Sequence, residues 1–396
     1  MDNKRHIAAR MNDIQPFHVM ALLGRARELE AEGRDIVHME IGEPDFITAQ
    51  PIIDAGIRAL QNGQTHYTPS TGLPALREAV SRFYQQRYHI DVPASRIVIT
   101  PGASGALQLI FNTLINPGDS VLMADPGYPC NRHFVRLNEG EAIGIPVNAG
   151  SNYQLTAGLV EQHWSESTVA VMLASPSNPT GTIVTADDLR DIHAVTRKRG
   201  GQLIVDEIYH GLVYAEDISS ALALEADDVF VINSFSKYFG MTGWRVGWLV
   251  APTGYIDAID RLAQNIFLAA STPAQHAALA AFEPESLAIH EQRRADFAVR
   301  RDYLLPALRD LGFGIPVTPQ GAFYLYADCS KFTDDSYHFA AQLLEEAGVA
   351  ITPGKDFGFY KPEQHVRFAY TTSLENLQKG VERIKGFLDK KSLLSR

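Results

Sequence analysis

The sequence predicts an α/β fold: a large domain built on a mainly parallel, seven-stranded sheet flanked by helices, and a smaller α+β domain from both chain ends. Seven short runs rich in β-branched and apolar residues follow one another between residues 96 and 251. Most are apolar at nearly every position, as expected of strands covered on both faces. Helical segments separate several of them, an alternation typical of parallel sheets.

The predicted elements follow the chain in order. A helix over VMALLGRARELEAEG has apolar residues at helical spacing and stops at Gly33. A short strand in IVHMEIGEPDF then runs into a turn at Gly42. The strands of the large sheet are predicted at RIVIT (96–100), SVLMAD (120–125), EAIGIPV (141–147), TVAVMLAS (168–175), QLIVDE (202–207), VFVINSFS (229–236) and VGWLVA (246–251). Between two of them, ADDLRDIHAVTRKRG is predicted as a helix that ends at Gly200.

The rest of the chain is predicted to be mostly helical to about residue 310 and then to form the strands GAFYLYAD (321–328) and HVRFAYTT (365–372). We therefore expect a large domain over residues 48–290. The small domain is expected to combine residues 1–47 with residues 291–396.

Composition excludes several classes of protein. The formal net charge is −11, from 35 basic and 46 acidic residues, which argues against a nucleic-acid-binding surface. Cys130 and Cys329 are far apart and lack metal-ligand spacing, so neither a disulfide framework nor a metal site is predicted. No apolar run reaches signal-peptide or membrane-spanning length. We expect a cytoplasmic protein that contacts neither membrane nor nucleic acid.

Several predicted strands end in residues that could carry chemistry. RIVIT is followed by PGASGALQL, where Ala103 and Ser104 open an apolar helix whose free N–H groups could hold a phosphate. SVLMAD is followed by PGYP, which presents Tyr128, an aromatic that could stack on a flat ring or cap the core. TVAVMLAS is followed by PSNPTGT, where two prolines fix the backbone around Asn178. Taken singly, each of these segments could be a simple turn.

The strand QLIVDE ends in Asp206, and Tyr209 follows three residues later. A carboxylate at the end of a buried strand is costly unless a cation meets it, although a helix N-cap is the ordinary explanation. In a parallel sheet, ligands bind at the carboxyl ends of the strands. The strand ends are therefore expected to form one site.

The last of these strands leads into SFSKYFGMTGWRVGW, residues 234–248. Ser234 and Ser236 are short hydrogen-bonding groups, and Arg245 has a planar set of donors suited to phosphate. Alone, Lys237 could be a surface charge among turns. Beside the other strand ends, it places an amine next to an anion-binding loop.

One cofactor requires an amine, a carboxylate and a phosphate cradle together: a phosphorylated pyridine aldehyde. In such a site a lysine forms the Schiff base and a carboxylate keeps the ring nitrogen protonated. The chain resembles the pyridoxal-phosphate-dependent aminotransferases of class I/II, fold type I, which include the aspartate aminotransferases. The matching segments are YTPSTGLPALREAV, TPGASGAL, DPGYP, SPSNPTG, VDEIY, SFSKYFGMTGWRVGW, PQGAFYLY and HVRFAY, and they span most of the chain in the family's order.

The resemblance implies a role for each of these residues. Lys237 resembles the Schiff-base lysine, which also moves the proton once it is released, and Asp206 resembles the partner of the ring nitrogen. Asn178 and Tyr209 resemble the donors to the ring's phenolate oxygen, with Asn178 also near the substrate, and Tyr128 resembles the residue stacked on the ring. The phosphate would be bound by backbone at Ala103 and Ser104 and by the side chains of Ser234, Ser236 and Arg245.

Other residues resemble the family's substrate and subunit contacts. Arg367 resembles the arginine that pairs with the substrate α-carboxylate, and the backbone of Gly42 would approach the same group. Tyr67 resembles a tyrosine that reaches the phosphate of the neighbouring subunit, which implies a homodimer with shared active sites. The implied reaction moves the amino group of an L-amino acid to a 2-oxo acid.

The sequence constrains the choice of substrate less than it constrains the cofactor. Some aspartate-specific members of the family have a lysine at the position of Ser104, so its absence favours a neutral amino acid such as alanine. A carbon–sulfur lyase or synthase on the same fold is the alternative, because the cofactor residues would be nearly the same. An effector-sensing domain of a transcription regulator is disfavoured, since the roughly 40 residues before the first motif are too few and insufficiently basic for a DNA-binding module.

Overall fold

The structure, a computed structural model, describes residues 7–214 and 219–394. The α/β prediction is confirmed, with a seven-stranded sheet at the centre. The strands are β1 Val37–His38, β2 Ile97–Thr100, β3 Ser120–Asp125, β4 Glu141–Pro146, β5 Thr168–Ala174, β6 Gln202–Asp206, β7 Val229–Ser234, β8 Gly247–Val250, β9 Tyr324–Asp328, β10 Val349–Ala350, β11 Thr352–Pro353 and β12 His365–Ala369.

The α-helices are α1 His18–Ala31, α2 Gln50–Gln61, α3 Pro74–Tyr88, α4 Gly102–Leu114, α5 Pro129–Leu137, α6 Ala157–His163, α7 Ala186–Lys198, α8 Ile256–Ile266, α9 Thr272–Leu279, α10 Pro284–Leu311, α11 Ser336–Ala347 and α12 Leu374–Leu394. None of the described helices has the length and apolar character needed to cross a membrane.

The large sheet has the strand order β2-β8-β7-β6-β5-β3-β4. All neighbouring pairs are parallel except those of β8, which runs antiparallel to β2 and β7. Along the central strands, alternate side chains enter two core layers, since successive residues of a strand point to opposite faces. On β6, Leu203 and Val205 lie in one layer and Ile204 lies in the other. This two-sided burial explains the uninterrupted apolar runs.

The smaller sheets combine both ends of the chain. β1 pairs with β10, with Val37 opposite Val349, and β12 lies between β11 and β9 in an antiparallel sheet. The helix α10 runs continuously through residue 290, so the predicted domain boundary at residues 290 and 291 falls inside a helix. The division into two domains remains a prediction.

Candidate active site

A cavity of about 340 Å³ lies at the carboxyl ends of the parallel strands. All of the predicted site residues line it except Tyr67: Gly42, Ala103, Ser104, Tyr128, Asn178, Asp206, Tyr209, Ser234, Ser236, Lys237, Arg245 and Arg367. The side chain of Tyr67 lies outside the cavity and is 84% exposed. The strand-end residues therefore converge as expected, while Tyr67 has no contact with the cavity of its own chain.

Lys237 lies just beyond β7, and its half-buried side chain lines the cavity. The Nζ atom donates a hydrogen bond to the carbonyl of Gly42 at 2.6 Å. Burial, with help from the nearby charge of Arg367, lowers the pKa of the Lys237 amine to about 8. About a tenth of the amine is therefore unprotonated at pH 7, far more than for an ordinary lysine, which suits a nucleophile and a proton carrier.

Asp206 is the last residue of β6 and is 7% exposed. Its Oδ1 accepts a hydrogen bond from the N–H of Ile208 at 3.1 Å. No α-helix begins here, so the N-cap explanation for this carboxylate is wrong. Burial raises the pKa of Asp206 to about 6, against the opposing effects of the Ile208 N–H and of Lys237. Such a buried carboxylate is suited to a cationic partner within the cavity.

Arg367, on β12, also lines the cavity. Its Nη1 donates to Oδ1 of Asn178 at 2.8 Å, and its Nη2 donates to the carbonyl of Glu40 at 2.6 Å. The guanidinium lies 4.2 Å from the centre of the Tyr324 ring and 4.9 Å from that of Phe357. Its Nε is buried without a hydrogen-bond partner. A fixed guanidinium with a free donor is suited to a carboxylate ligand.

Tyr324 is a site residue that the sequence did not identify. Its hydroxyl is 2.8 Å from the hydroxyl of Tyr209, and a side chain on Gly42 would collide with it. Glycine is therefore required at position 42 for the chain to pass this close to the phenol. Tyr324 lies in the quoted segment PQGAFYLY, but nothing in that segment alone shows that β9 brings it against Gly42.

A cluster of donors marks the other end of the cavity. Ser234 and Ser236 are joined by a 3.0 Å hydrogen bond between their hydroxyls, and Nη1 of Arg245 lies 3.4 Å from Oγ of Ser236. α4 begins beside them at Gly102, and the first N–H groups of a helix have no partners within the helix. A Cβ on Gly102 would lie 2.6 Å from Nη2 of Arg245. The close approach of helix and guanidinium forms a cradle for an anion.

Pyridoxal phosphate fits this arrangement of residues. The serine hydroxyls, the guanidinium and the start of α4 suit the phosphate, the buried carboxylate of Asp206 suits a protonated ring nitrogen, and the amine of Lys237 suits the aldehyde. Tyr128 is 39% exposed and lines the cavity, where its ring could cover one face of the cofactor. Burial raises the pKa of Tyr209, so its phenol remains a proton donor.

Comparisons with known proteins agree with this geometry. Residues 34–384 match the family described as aminotransferase class I and II. Over 386 residues the chain is 38% identical to the (5-formylfuran-3-yl)methyl phosphate transaminase of Methanocaldococcus jannaschii, covering 97% of this chain and 100% of that protein. It is 37% identical over 376 residues to the valine–pyruvate aminotransferase of Mycobacterium tuberculosis, covering 95% of this chain and 97% of that protein.

A solved structure with a similar fold is the aspartate aminotransferase of Thermus thermophilus with maleate. The TM-score is 0.91 at 33% identity, and the match covers 96% of this chain and 99% of the other. These three proteins are named as aminotransferases or transaminases, which does not favour the lyase or synthase alternative. The chain therefore belongs to the class I and II aminotransferases and is a pyridoxal-phosphate-dependent transaminase with the fold of aspartate aminotransferase.

Proposed function

We propose that this aminotransferase takes its amino group from a neutral L-amino acid, with alanine the leading candidate, and passes it to a 2-oxo acid. The observation that carries this proposal is the charge of the cavity wall. Among the described residues its cations are Lys237, Arg245 and Arg367, each with a role at the cofactor or at the α-carboxylate. None of the described cations that line this cavity is left for a second substrate carboxylate.

The remaining wall fits an uncharged side chain. Phe17, Val19, Met20 and Leu107 supply apolar surface, and Glu43 supplies a carboxylate that would repel an acidic side chain. The relatives named above do not decide the substrate, because their names specify a furan aldehyde phosphate, valine and aspartate. The cavity wall of this chain is therefore the better guide.

We propose these roles for the site residues. Arg367, fixed by Asn178 and Glu40, would bind the α-carboxylate, and Lys237 would hold the cofactor and then move the proton at the substrate Cα. Bound pyridoxal phosphate supplies an aldehyde that accepts the amino group and a ring that withdraws electrons. The carboxylate of Asp206 would stabilise the positive charge on the ring nitrogen.

The phosphate of the cofactor would be bound by the cluster at the start of α4. Ser234, Ser236 and Arg245 supply side-chain donors, and the backbone of Ala103 and Ser104 supplies N–H groups. Opposite charges at the two ends of the cofactor would therefore fix its orientation.

We also propose a homodimer in the cytoplasm. The exposed ring of Tyr67 supports the homodimer, because it is free to meet a second chain. Both cysteines are free, which is typical of a reducing compartment.

The substrate proposal is tested by the absorbance of the cofactor. The purified holoenzyme is mixed with L-alanine, L-valine or L-aspartate without an oxo acid, and conversion to the pyridoxamine form is followed. We expect alanine and valine to react with kcat/KM about tenfold or more above that of aspartate, since a buried unpaired carboxylate is costly. Fastest conversion by aspartate would contradict the proposal, and release of ammonia would instead indicate a lyase.

A substitution at Ser104 tests directly whether charge in the cavity wall decides the substrate preference. Ser104→Lys adds a cation to the cavity wall and should raise kcat/KM for aspartate relative to alanine by about tenfold. Ser104→Met, of similar length but uncharged, is the matched control and should not. Equal effects of the two variants would show that length rather than charge decides the preference.

A further inference from the structure

A second cavity, of about 260 Å³, lies beside the active cavity. Tyr128, Ala174 and Phe357 line both cavities. The rest of its wall comes from the start of α5, from β3 to β5 and from the loop at residues 357–360. Apart from Tyr128, none of the predicted site residues lines it. The proposed function therefore leaves this cavity without a role.

Arg132 supplies a positive charge to this cavity. Its Nη2 donates to the carbonyl of Asp356 at 2.9 Å, and its guanidinium lies 5.2 Å from the centre of the Phe359 ring. Within the described ranges it forms no ion pair with a carboxylate. Burial lowers the pKa of its guanidinium, and the nearby carboxylates of Asp125 and Asp356 oppose this shift without forming a salt bridge with it.

Asp125 supplies a negative charge to the same cavity. The carboxylate accepts hydrogen bonds from the N–H groups of Phe359 at 2.8 Å and Tyr360 at 3.3 Å, one on each oxygen. These bonds fix its orientation and explain its burial, but each oxygen can accept a further bond. Arg132 and Asp125 thus attract each other across one cavity without forming a salt bridge.

Asn131 and Gly144 complete the polar part of the wall. Asn131 is 6% exposed, and its Oδ1 has no donor. Gly144 lies on β4, the edge strand of the sheet, and is exposed. A Cβ on Gly144 would lie 3.3 Å from Oδ2 of Asp125, so the missing side chain leaves this carboxylate open. The exposed Gly144 therefore opens the cavity to solvent at β4.

We propose that this cavity is a second ligand site that binds a free α-amino acid with an apolar side chain. The carboxylate would pair with Arg132, and the ammonium group would lie toward Asp125 and Asn131. A ligand with only one charge would leave either Arg132 or Asp125 unpaired, whereas a zwitterion matches both. The apolar walls, which include Met123 and Met172, suit the side chain.

The size of the cavity fits this class of ligand. A volume of about 260 Å³ is below the range of roughly 300–1,000 Å³ typical of sites for drug-sized molecules. Such a site would let an amino acid act on the enzyme without occupying the active cavity. The proposed second site does not depend on which amino acid donates the amino group, so the test of the substrate does not decide whether this site exists.

Equilibrium dialysis of the holoenzyme with α-methyl-L-leucine tests the proposal. This probe has no α-hydrogen to transfer, so its binding can be measured without turnover. The absorbance of the cofactor, titrated in parallel, reports the active site alone. We expect two molecules of probe per protomer, only one of which follows the absorbance change. Binding that wholly follows the absorbance change, with no further molecule per protomer, would overturn the proposal.

Two variants assign the second molecule to this cavity. Arg132→Gln removes the charge, and Gly144→Val fills the space beside Asp125. Each should weaken binding of the second molecule by about tenfold or more, while the absorbance titration keeps its midpoint. Arg136→Gln, on the same helix but in surface ion pairs with Asp13 and Glu139, is the matched control and should retain both molecules.

The outcomes separate clearly. If the second molecule still binds to both variants, the assignment to this cavity is overturned. It is also overturned if the same variants shift the midpoint of the absorbance titration, because Arg132 and Gly144 would then act at the active site. Thermal unfolding of each variant checks the fold. Valine is well tolerated on an exposed edge strand, so binding of the second molecule can still be tested with Gly144→Val if Arg132→Gln does not fold.

Discussion

Lys237 and Asp206 line the same cavity, and loss of water there shifts both toward their neutral forms. The pKa of the amine falls to about 8, and the pKa of the carboxyl group rises to about 6. Both shifts follow from the cost of a charge away from water. The cofactor would offset the cost at Asp206 with a protonated ring nitrogen. The apoprotein and the holoenzyme should therefore respond differently to pH and to substitution.

The amine of Lys237 must lose its proton before it can attack the cofactor aldehyde. With a pKa of about 8, the rate of cofactor attachment to the apoprotein should rise about tenfold per pH unit well below pH 8 and level off above it. Stopped-flow absorbance measures this rate. Lys237→Ala should show no attachment, and Lys198→Ala, an exposed position at the end of α7, should behave as the wild type. A midpoint near 10.5, the ordinary lysine value, would contradict the prediction.

Asp206→Asn should stabilise the apoprotein while damaging the enzyme. The folded pKa is raised from 3.8 to about 6, so the ionised carboxylate destabilises the fold above about pH 6, and the penalty fades as the pH falls toward 3.8. At pH 7.5 the substitution should raise the free energy of unfolding of the apoprotein by on the order of 3 kcal/mol. The gain should shrink at pH 5. Urea unfolding at both pH values measures the difference.

The same variant should lose activity by about a hundredfold as the holoenzyme, since the ring nitrogen loses its anionic partner. Asp91→Asn, at an exposed position, is the control and should change neither stability nor activity. An apoprotein made less stable by Asp206→Asn at pH 7.5 would show that the carboxylate is paired without the cofactor.

At the scale of elements, the sequence predicted the strands of the large sheet but gave no prediction of their order in it. The runs at β3 and β5 are recognisable because helices cover both faces, which requires apolar residues throughout. The insertion of β8 between β2 and β7 was not predictable. It pairs β8 with β2, which lies about 150 residues earlier in the chain, and the hydrophobic pattern of a strand does not show which strand pairs with it.

The candidate site shows the same limit. Lys237 and Asp206 were found because each lies at the end of its own strand. Tyr324 was missed because its role depends on the approach of β9 to Gly42. The carbonyl of Glu40, which accepts a hydrogen bond from Arg367, was missed because every residue has a backbone carbonyl and the sequence does not show which one is used.

The junction of α4 with the Arg245 loop gives a prediction at this scale. Gly102 has φ +68°, and a Cβ there would lie 2.6 Å from Nη2 of Arg245. Gly102→Ala should displace the guanidinium from the anion cradle and raise the Kd of the cofactor about tenfold or more. Gly243→Ala, on the same loop as Arg245 with open space around its Cβ, is the matched control. Equal cofactor affinity in the two variants, measured by fluorescence titration of the apoprotein, would contradict the proposed cradle.

At the scale of the whole molecule, the cavity draws on distant parts of the chain. Gly42 comes from the segment after β1, Lys237 from the large sheet and Arg367 from β12. The family resemblance adds Tyr67, whose exposed side chain lies outside this cavity. If Tyr67 serves the neighbouring active site, as the proposed homodimer implies, a complete site needs two copies of the chain, as a symmetric dimer provides.

Subunit complementation tests whether the site is shared. If Tyr67 acts in the neighbouring active site, a dimer of one Lys237→Ala chain and one Tyr67→Ala chain has one intact site and one doubly defective site. Random mixing of the two weakly active variants, by unfolding and refolding together, makes about half of the dimers hybrid and should restore about a quarter of wild-type activity. Each variant refolded alone is the control and should gain nothing. If Tyr67 served only its own chain, every hybrid site would carry one defect and mixing would restore no activity. Sedimentation of the mixture confirms that dimers have formed, so an absence of recovery in a dimeric sample would exclude the shared site.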